Sequence, residues 1–559
     1  MEARRETPLG DTQDPFAAPN AGVRRLWRWA RRQWLIPILL LATVVRFYDL
    51  NAAAIWGDEG SSLLLANYSL SGIWEHAAFD VHPPLYFMLL HGWIGLFGDT
   101  ILSIRSLSAL AGIATVGLGV CLVDRLATRR AAIIAGVLLA LLPTAVRYSQ
   151  EVRMYSLLGL LLIGSTLALI CWVRRPQRHR YLLIYALLMS AALYTHYFAV
   201  LAALSHWLYL GLIRLLPGYR LRHIQRKDWW LANLAIVVLY LPWLPNLLDL
   251  TQHMEELKVG GDVGWEDPVT LSSLPSMIWL WLIQDEGEHL PLLLFCGVPL
   301  ALLALAGVAV ARDRSVNHGS VLLALYTGVP LLLVFAVSFI SPVFIERYLT
   351  AYALGLPMLA ALAIDRLYRR ARVLAVAVLV SWVGVELVGV NTNATVDPHD
   401  QFNVMVDYIN RHFVSGDRIV TSDMLWYLSY VYYNRTDAQV RLFTPPAADG
   451  RSTRPNHYGF GTLVSEEVYL DRLDDLPKGS ARVWLIGDLD VDVPDPFRPL
   501  PKNWQLRDQT HAGGANARLF SLTTDNGTAM QCFKRFTFSL AIKTDLHSPF
   551  CSVLISKHY

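Results

Sequence analysis

Residues Ile55 to Phe87 read IWGDEGSSLLLANYSLSGIWEHAAFDVHPPLYF, and they hold the densest set of side chains able to do acid and base work. Asp58 and Glu59 are adjacent carboxylates a few residues beyond an apolar segment, and Asp80-Val-His82-Pro-Pro84-Leu85 follows them. No Lys or Arg lies between Arg46 and Arg105, so neither carboxylate has a cation close by in sequence. A carboxylate partly withdrawn from water at a membrane edge becomes a stronger base, suited to take a proton from a hydroxyl or amide nucleophile. The alternative for the pair is a solvated loop face. For Asp80 and His82 it is a rigid turn, since Pro-Pro biases His82 to an extended backbone; in the chemical reading the two help hold a substrate or a cation.

Further candidates lie far away in sequence. Glu151 and Arg153, with Arg147 nearby, sit between two apolar stretches. Charges at membrane depth either pair with each other or face a cavity, so this group is an ion pair or a second acidic site beside an anion-binding arginine. His196, in Tyr-Thr-His-Tyr, marks another boundary, as a hydrogen-bonded interfacial residue or a ligand group. Arg347 opens an apolar stretch and is placed to grip a lipid phosphate unless it pairs with its neighbour Glu346. No cluster has metal-ligand spacing, which leaves a divalent cation open but unassigned. Neither a Walker loop nor a Rossmann glycine fingerprint occurs, so the sequence points to a donor that arrives through the membrane and not on a soluble nucleotide-binding fold.

The elements that must bring these residues together are membrane helices. With 54% hydrophobic and 17% charged residues, a chain of 559 residues is too apolar for a soluble protein and reads as an α-helical polytopic membrane protein. Apolar stretches at 33–50, 101–123, 131–147, 154–173, 181–197, 198–216, 229–248, 290–311, 319–340, 348–367 and 372–390 predict about eleven spans. The net charge of +3 says little by itself; the placement of Lys and Arg says more. If Pro83–Phe97 lies along the interface instead of crossing, then the groups Arg125/Arg129/Arg130, Arg174/Arg175/Arg178/Arg180, Arg214/Arg220/Arg222/Arg226/Lys227, Arg312/Arg314 and Arg366/Arg369/Arg370/Arg372 all fall on the cytoplasmic side. The acidic segments 51–99 and 249–289 then face outward, and Asp58, Glu151, His196 and Arg347 emerge on one outer surface. Segment 61–79 reads as an amphipathic helix in the outer interface.

The domain plan is a basic cytoplasmic N-terminus (1–32, a retained signal anchor rather than a cleaved signal), a transmembrane domain (33–391, with its first outer loop at 51–100), an extracytoplasmic α/β domain (392–525) and a tail (526–559). Runs MVDYINRHF, DRIVTSD, AQVRLFT, RVWLIGDLD and ARLFSLTT predict the helix and strands of the outer domain. Cys121, Cys171 and Cys296 lie in apolar runs as small core residues, whereas Cys532 and Cys551 could pair in an oxidising compartment.

The order of basic N-terminus, span, Trp-x-Asp58-Glu59, interfacial helix, Asp80-x-His82-Pro-Pro-Leu-Tyr-Phe, Arg105 opening the next span, Ser-x-Glu151-x-Arg153-x-Tyr155 and a late Glu346-Arg347-Tyr348 resembles the membrane glycosyltransferases of the GT-C type. The nearest in pattern are the family 39-like enzymes, the dolichyl-phosphate-mannose protein mannosyltransferases and aminoarabinose transferases. The resemblance covers about 30–370. It implies a multi-pass plasma-membrane enzyme that transfers a sugar from a polyprenyl-phosphate donor to a protein, lipid or glycan acceptor on the extracytoplasmic face, with inversion, and that has no nucleic acid partner. In that pattern Asp58 is the base, Glu59 its partner and Glu151 the second acidic residue. Asp80, His82, Arg105, Arg153, Tyr155, His196, Arg347 and Tyr348 line the substrate cavity, with Arg347 on the carrier phosphate. This chain departs from the pattern in having Glu151 at the second acidic position, where the resemblance implies Asp. The rival reading is a transporter or lipid flippase using Asp58, Glu151 and Arg347 as relay residues, but the chain lacks the matched halves with broken helices such proteins show.

Overall fold

The computed structural model describes residues 33–215, 223–259, 268–315, 317–396, 401–447, 449–454, 463, 465–476, 482–489, 495–502 and 504–522. The expected N-terminal segment 1–32 and tail 526–559, with Cys532 and Cys551, lie outside the described residues, as do Arg220 and Arg222.

The first part of the chain is helical: α1 (Leu35–Phe47), α2 (Gly57–Ala66), α3 (Leu70–Ala77), α4 (Leu85–Phe97), α5 (Ile101–Leu126), α6 (Arg129–Leu141), α7 (Pro143–Arg147), α8 (Tyr155–Arg174), α9 (Arg180–Leu193) and α10 (Ala199–Ile213). It continues with α11 (Lys227–Tyr240), α12 (Leu244–Val259), α13 (Ser273–Ile283), α14 (Leu292–Ala311), α15 (Gly319–Ser338), α16 (Glu346–Ala353), α17 (Gly355–Tyr368) and α18 (Arg372–Ala394). Among the described residues, seven helices are long and apolar enough to cross a membrane by length and composition, counting Lys227–His253 and Glu346–Tyr368 as single helices. All eleven apolar stretches expected to span are helical. Four of them, in α1, α6–α7, α9 and α10, are shorter than the ~20 residues a perpendicular crossing needs. Pro83–Phe97 forms the 13-residue α4, also short of a full crossing.

Two details depart from expectation. Segment 131–147 is not one helix, because it breaks between Leu141 and Pro143. Pro143 has no N–H to offer the Leu139 carbonyl four residues earlier. Arg46, fully buried on α1, fills that gap: its Nη2 donates to Leu139 O at 3.3 Å and its Nη1 to Ala140 O at 3.0 Å. The carbonyl end of a broken helix is also where a cation is favoured. Second, the expected single helix over 61–79 is two. α2 starts earlier, at Gly57, so Asp58 and Glu59 lie in its first turn, next to the positive end of the helix. Ser69 then starts α3 by accepting from the Gly72 amide at 3.2 Å.

Beyond the membrane helices lie α19 (Phe402–His412), β1 (Arg418–Thr421), α20 (Met424–Tyr433), β2 (Val440–Phe443), β3 (Tyr469–Leu470), β4 (Arg482–Asp488), β5 (Trp504–Ala512) and β6 (Ala515–Leu522). They form a six-stranded sheet of order β3-β2-β1-β4-β6-β5. The first four strands are parallel, and β6 pairs antiparallel with both β4 and β5. Alternation along the strands sorts the side chains onto two faces. Ile419, Trp484 and Ile486 join one apolar core, and Val420, Val483 and Leu485 join a smaller one. The first of these cores is shared. It runs from the sheet through Met405, Leu428 and Tyr430 into Ile55, Leu63, Leu65, Tyr86 and Tyr155 of the membrane part. The sheet domain is thus packed onto the loop that carries Asp58.

Candidate active site

Asp58 and Glu59 are adjacent on α2, so their side chains point about 100° apart around the helix, and their surroundings differ completely. Glu59 is fully buried and held by Arg105 of α5 through two hydrogen bonds, Nε to Oε1 at 2.9 Å and Nη2 to Oε2 at 2.7 Å. The Val152 amide donates to Oε1 at 2.8 Å. Arg105 spends its remaining donors on the backbone that leads to α2: Nη1 on Leu50 O and Ala53 O, both at 2.9 Å, and Nη2 on Ala54 O at 3.1 Å. Every N–H of that guanidinium is engaged, so Arg105 has none left for a substrate.

Asp58 faces the other way. Its Oδ2 lies 3.2 Å from Arg347 Nη1 and 3.8 Å from Arg153 Nη2. Arg347 is in the first turn of α16, and Arg153 lies in the turn before α8. Arg153 is buried and also ties down the backbone here, its Nη1 donating to Asp58 O and to Ser62 Oγ, both at 3.1 Å. The Arg347–Glu346 pair offered as an alternative does not form. Glu346 turns away to accept from Tyr148 OH at 3.2 Å and from Gln284 Nε2 at 2.7 Å. Gln284 sits at φ +59° just after α13 and also accepts from Arg147 Nη1 at 3.3 Å.

Asp80 and His82 form a local unit. Asp80 Oδ1 accepts from the His82 amide at 2.9 Å and lies 3.1 Å from His82 Nδ1. Burial pushes the Asp80 carboxyl up to about 7 and holds the His82 imidazole well below its ordinary value, so His82 is neutral at physiological pH. The His82 ring packs against His196 (centroids 5.5 Å apart) and Tyr348 (6.4 Å), and His196 against Tyr348 (5.2 Å). His196 Nδ1 accepts from the Phe198 amide at 3.2 Å, which places a neutral ring's proton on Nε2. Residues 80–85 and 194–198 are joined by the Leu85 amide donating to Tyr194 O at 3.0 Å.

Glu151 lies 3.5 Å from Arg147 Nε through Oε1. Burial pushes its carboxyl up to about 7 against the pull of Arg147, with Glu59 and Asp58 adding in the same direction as burial. Its Oε2, together with Arg153 Nε, Tyr155 OH and His196 Nε2, is buried without a hydrogen-bond partner among the described residues. Such atoms cost free energy unless something else satisfies them. The structure therefore brings Asp58, Arg153, Tyr155, Arg347, Tyr348, His82, His196 and Asp80 into one region, with Glu151 and Glu59 beside it. Arg105 stands behind Glu59, away from that region. Among the described residues no group of three or more His, Cys, Asp or Glu is arranged to hold a metal ion.

Several participants carry no sequence signal of their own: Ser62, Tyr148, Gln284, and Tyr433 and Gln401 of the sheet domain. Ile55 N donates to Tyr433 OH at 2.7 Å and Ala54 N to Gln401 Oε1 at 3.0 Å. One signal was available. Gly57 and Gly60 flank the two carboxylates at helical spacing, the mark of a close helix contact.

Comparison with known proteins bears on the fold. Residues 81–245 match the family model described as dolichyl-phosphate-mannose-protein mannosyltransferase. No curated relative matches the chain by sequence. Among solved structures the chain is similar to ArnT from Cupriavidus metallidurans in the apo state, with TM-score 0.62, 16% identity, 88% of this chain and 98% of that one covered. It is similar to the same protein bound to undecaprenyl phosphate, with TM-score 0.58, 15% identity and 87% and 98% covered. It also resembles the Archaeoglobus fulgidus oligosaccharyltransferase solved with Zn and sulfate, with TM-score 0.52, 12% identity and 81% and 68% covered. At these identities the likeness shows the fold.

Proposed function

Starting from a polytopic membrane chain with the fold of the GT-C glycosyltransferases, we propose that it transfers a sugar from a polyprenyl-phosphate-linked donor to an acceptor on the extracytoplasmic face, with inversion at the anomeric carbon. The observation that carries this reading is one carboxylate, Asp58, set against two guanidiniums, Arg347 at 3.2 Å and Arg153 at 3.8 Å. Asp58 takes the proton from the acceptor's hydroxyl or amide. The acceptor atom bonds to the anomeric carbon as the bond from that carbon to the phosphate oxygen breaks, and the new charge on the departing phosphate falls to Arg347 and Arg153. Asp80 and Glu151, both raised to about 7, carry only part of a negative charge at neutral pH. Two guanidiniums converging beside one carboxylate suit a phosphate, which offers each of them an oxygen to accept a charge-assisted hydrogen bond. The undecaprenyl phosphate in one similar structure supports a polyprenyl carrier. Glu59 acts in this scheme as a positioning residue, through Arg105. His82, His196, Tyr155 and Tyr348, whose rings pack together, line the substrate cavity in this scheme.

The test is an assay of the purified full-length protein with polyprenyl-phosphate sugars labelled in the sugar. Wild type is expected to release label to an acceptor or to water, and Asp58→Asn to lose at least 100-fold. Release from no carrier, or an Asp58→Asn variant as active as wild type, refutes the mechanism. The outward orientation is tested separately with Arg178→Cys, which is expected to react with an impermeant thiol reagent only from the cytoplasmic side.

A further inference from the structure

The lead-in to Asp58 is held from both sides. Its carbonyls, at Leu50, Ala53 and Ala54, go to Arg105 of the membrane part. Its amides, at Ala54 and Ile55, go to Gln401 and Tyr433 of the sheet domain. Next along the chain α2 lies directly on α20. A Cβ at Gly57 would come within 2.6 Å of Leu425 Cδ2 and 2.9 Å of Leu425 Cβ. A Cβ at Gly60 would strike the Leu428 carbonyl oxygen. Neither glycine has positive φ, so here the requirement is for space and not for backbone freedom. Tyr432 of α20 adds a bond to the other end of the outer loop, donating to Asp99 O at 2.9 Å.

We infer that the sheet domain is a positioning part of the active site: through the Gly57/Gly60 contact on α20, and through Tyr433 and Gln401, it sets the height and rotation of α2 and so the place of Asp58 relative to Arg347 and Arg153. Asp58 lies between the two glycines in sequence, so any lift of α2 off α20 moves it directly. Displacing a reacting group by about 1 Å can cost on the order of 100-fold in rate. The inference rests on the sugar-transfer reading for its effect on turnover, but not for its effect on the loop.

Two readouts on the full-length protein separate these. Hydrogen exchange at the Ala54 and Ile55 amides reports the clamp whether or not the protein turns over. In Gly60→Ala and in Tyr433→Phe these amides are expected to exchange at least tenfold faster. In transfer assays both variants are expected to lose kcat, Gly60→Ala at least tenfold and Tyr433→Phe a few-fold, with KM for the carrier within about twofold of wild type. Leu425→Ala should restore little of the kcat lost in Gly57→Ala, because it removes the Cδ2 contact but keeps Leu425 Cβ at 2.9 Å and the backbone Cα at 3.0 Å. No side-chain change should rescue Gly60→Ala, whose obstacle is backbone. Tyr433→Phe removes a single oxygen and keeps the packing, so it decides the matter should Gly60→Ala fail to fold. Unchanged exchange and unchanged kcat in Tyr433→Phe would overturn the inference. An inactive wild type that still shows faster exchange in the variants would defeat the sugar-transfer reading and leave the clamp standing.

Discussion

The pocket around Glu59 and the pocket around Asp58 belong to adjacent residues, yet one is closed and the other is not. In the first, a fully buried carboxylate meets one guanidinium through two bonds, and each remaining donor of that guanidinium ends on a carbonyl. In the second, one oxygen is shared between two guanidiniums at 3.2 and 3.8 Å, and Arg153 Nε, Tyr155 OH and His196 Nε2 are buried with no hydrogen-bond partner among the described residues. Closure of the first makes it structural, since a satisfied pair has nothing to exchange with a ligand. Lack of closure in the second gives a substrate something to complete. A buried charge held by all its partners contributes mainly when one partner is removed.

The largest separation between the two pockets should come from removing each charge in turn. Asp58→Asn is expected to abolish transfer while leaving the melting temperature within a degree or two of wild type. Glu59→Gln should do the reverse of that stability result, costing about 3–5 kcal/mol by stranding the Arg105 charge. It is read as a fall in melting temperature or in yield of folded protein in detergent. If Glu59→Gln melts like wild type and only loses activity, the division of labour between the two pockets is wrong.

Lysine in place of each arginine gives a smaller and sharper contrast. Lysine keeps the charge but offers a compact ammonium in place of a planar fork. Arg105→Lys cannot reach both Glu59 oxygens and three carbonyls together, so it should lose about 2–3 kcal/mol of stability through groups left unpaired in the interior. Arg347→Lys should fold normally and lose about 10- to 100-fold in kcat, because a point charge still meets a phosphate but with poorer geometry. Equal melting temperatures for the two variants would erase the distinction.

How much of this could be read from the chain follows from the range of the interactions. Membrane helices are written in local composition, and all eleven apolar stretches are helical. The convergence of Asp58, Arg153, His196 and Arg347 followed from placing the basic loops on one side. The break at Pro143 was visible as a proline, but Arg46 as its remedy was not, because the bond joins residues 93 and 94 positions apart. Likewise, nothing local in the sequence says that Arg105 spends all its donors on Glu59 and residues 50–54, so its position in the family pattern points to a substrate contact. In the sheet domain, residues in the five runs read from pattern do form α19, β1, β2, β4 and β6, whereas β3, β5 and α20 carry no such pattern. Met424–Tyr433 is apolar and aromatic around most of its circumference and so shows no helical period. It is nonetheless the helix that meets Gly57 and Gly60.

The last contrast concerns Glu151, which stands between the two pockets in character. It has one partner, Arg147 at 3.5 Å, and one oxygen with none among the described residues. Its carboxyl is pushed up from 4.5 to about 7, chiefly by burial. A raised carboxyl binds its proton more tightly in the folded protein than in the unfolded chain. The folded state is therefore favoured by this group at low pH, and that advantage is lost as pH rises from about 4.5 through about 7. Glu151→Gln removes the titration and keeps the shape. Its stability relative to wild type should thus improve across that window, by at most about 3 kcal/mol, and level off above it. Melting temperatures of the two proteins in one detergent at pH 5, 6, 7 and 8 measure the difference. A gap that stays constant with pH would mean that Glu151 is already ionised and paired throughout, closed like Glu59. A gap that opens would mark it as a buried carboxyl whose second oxygen is left without a partner among the described residues.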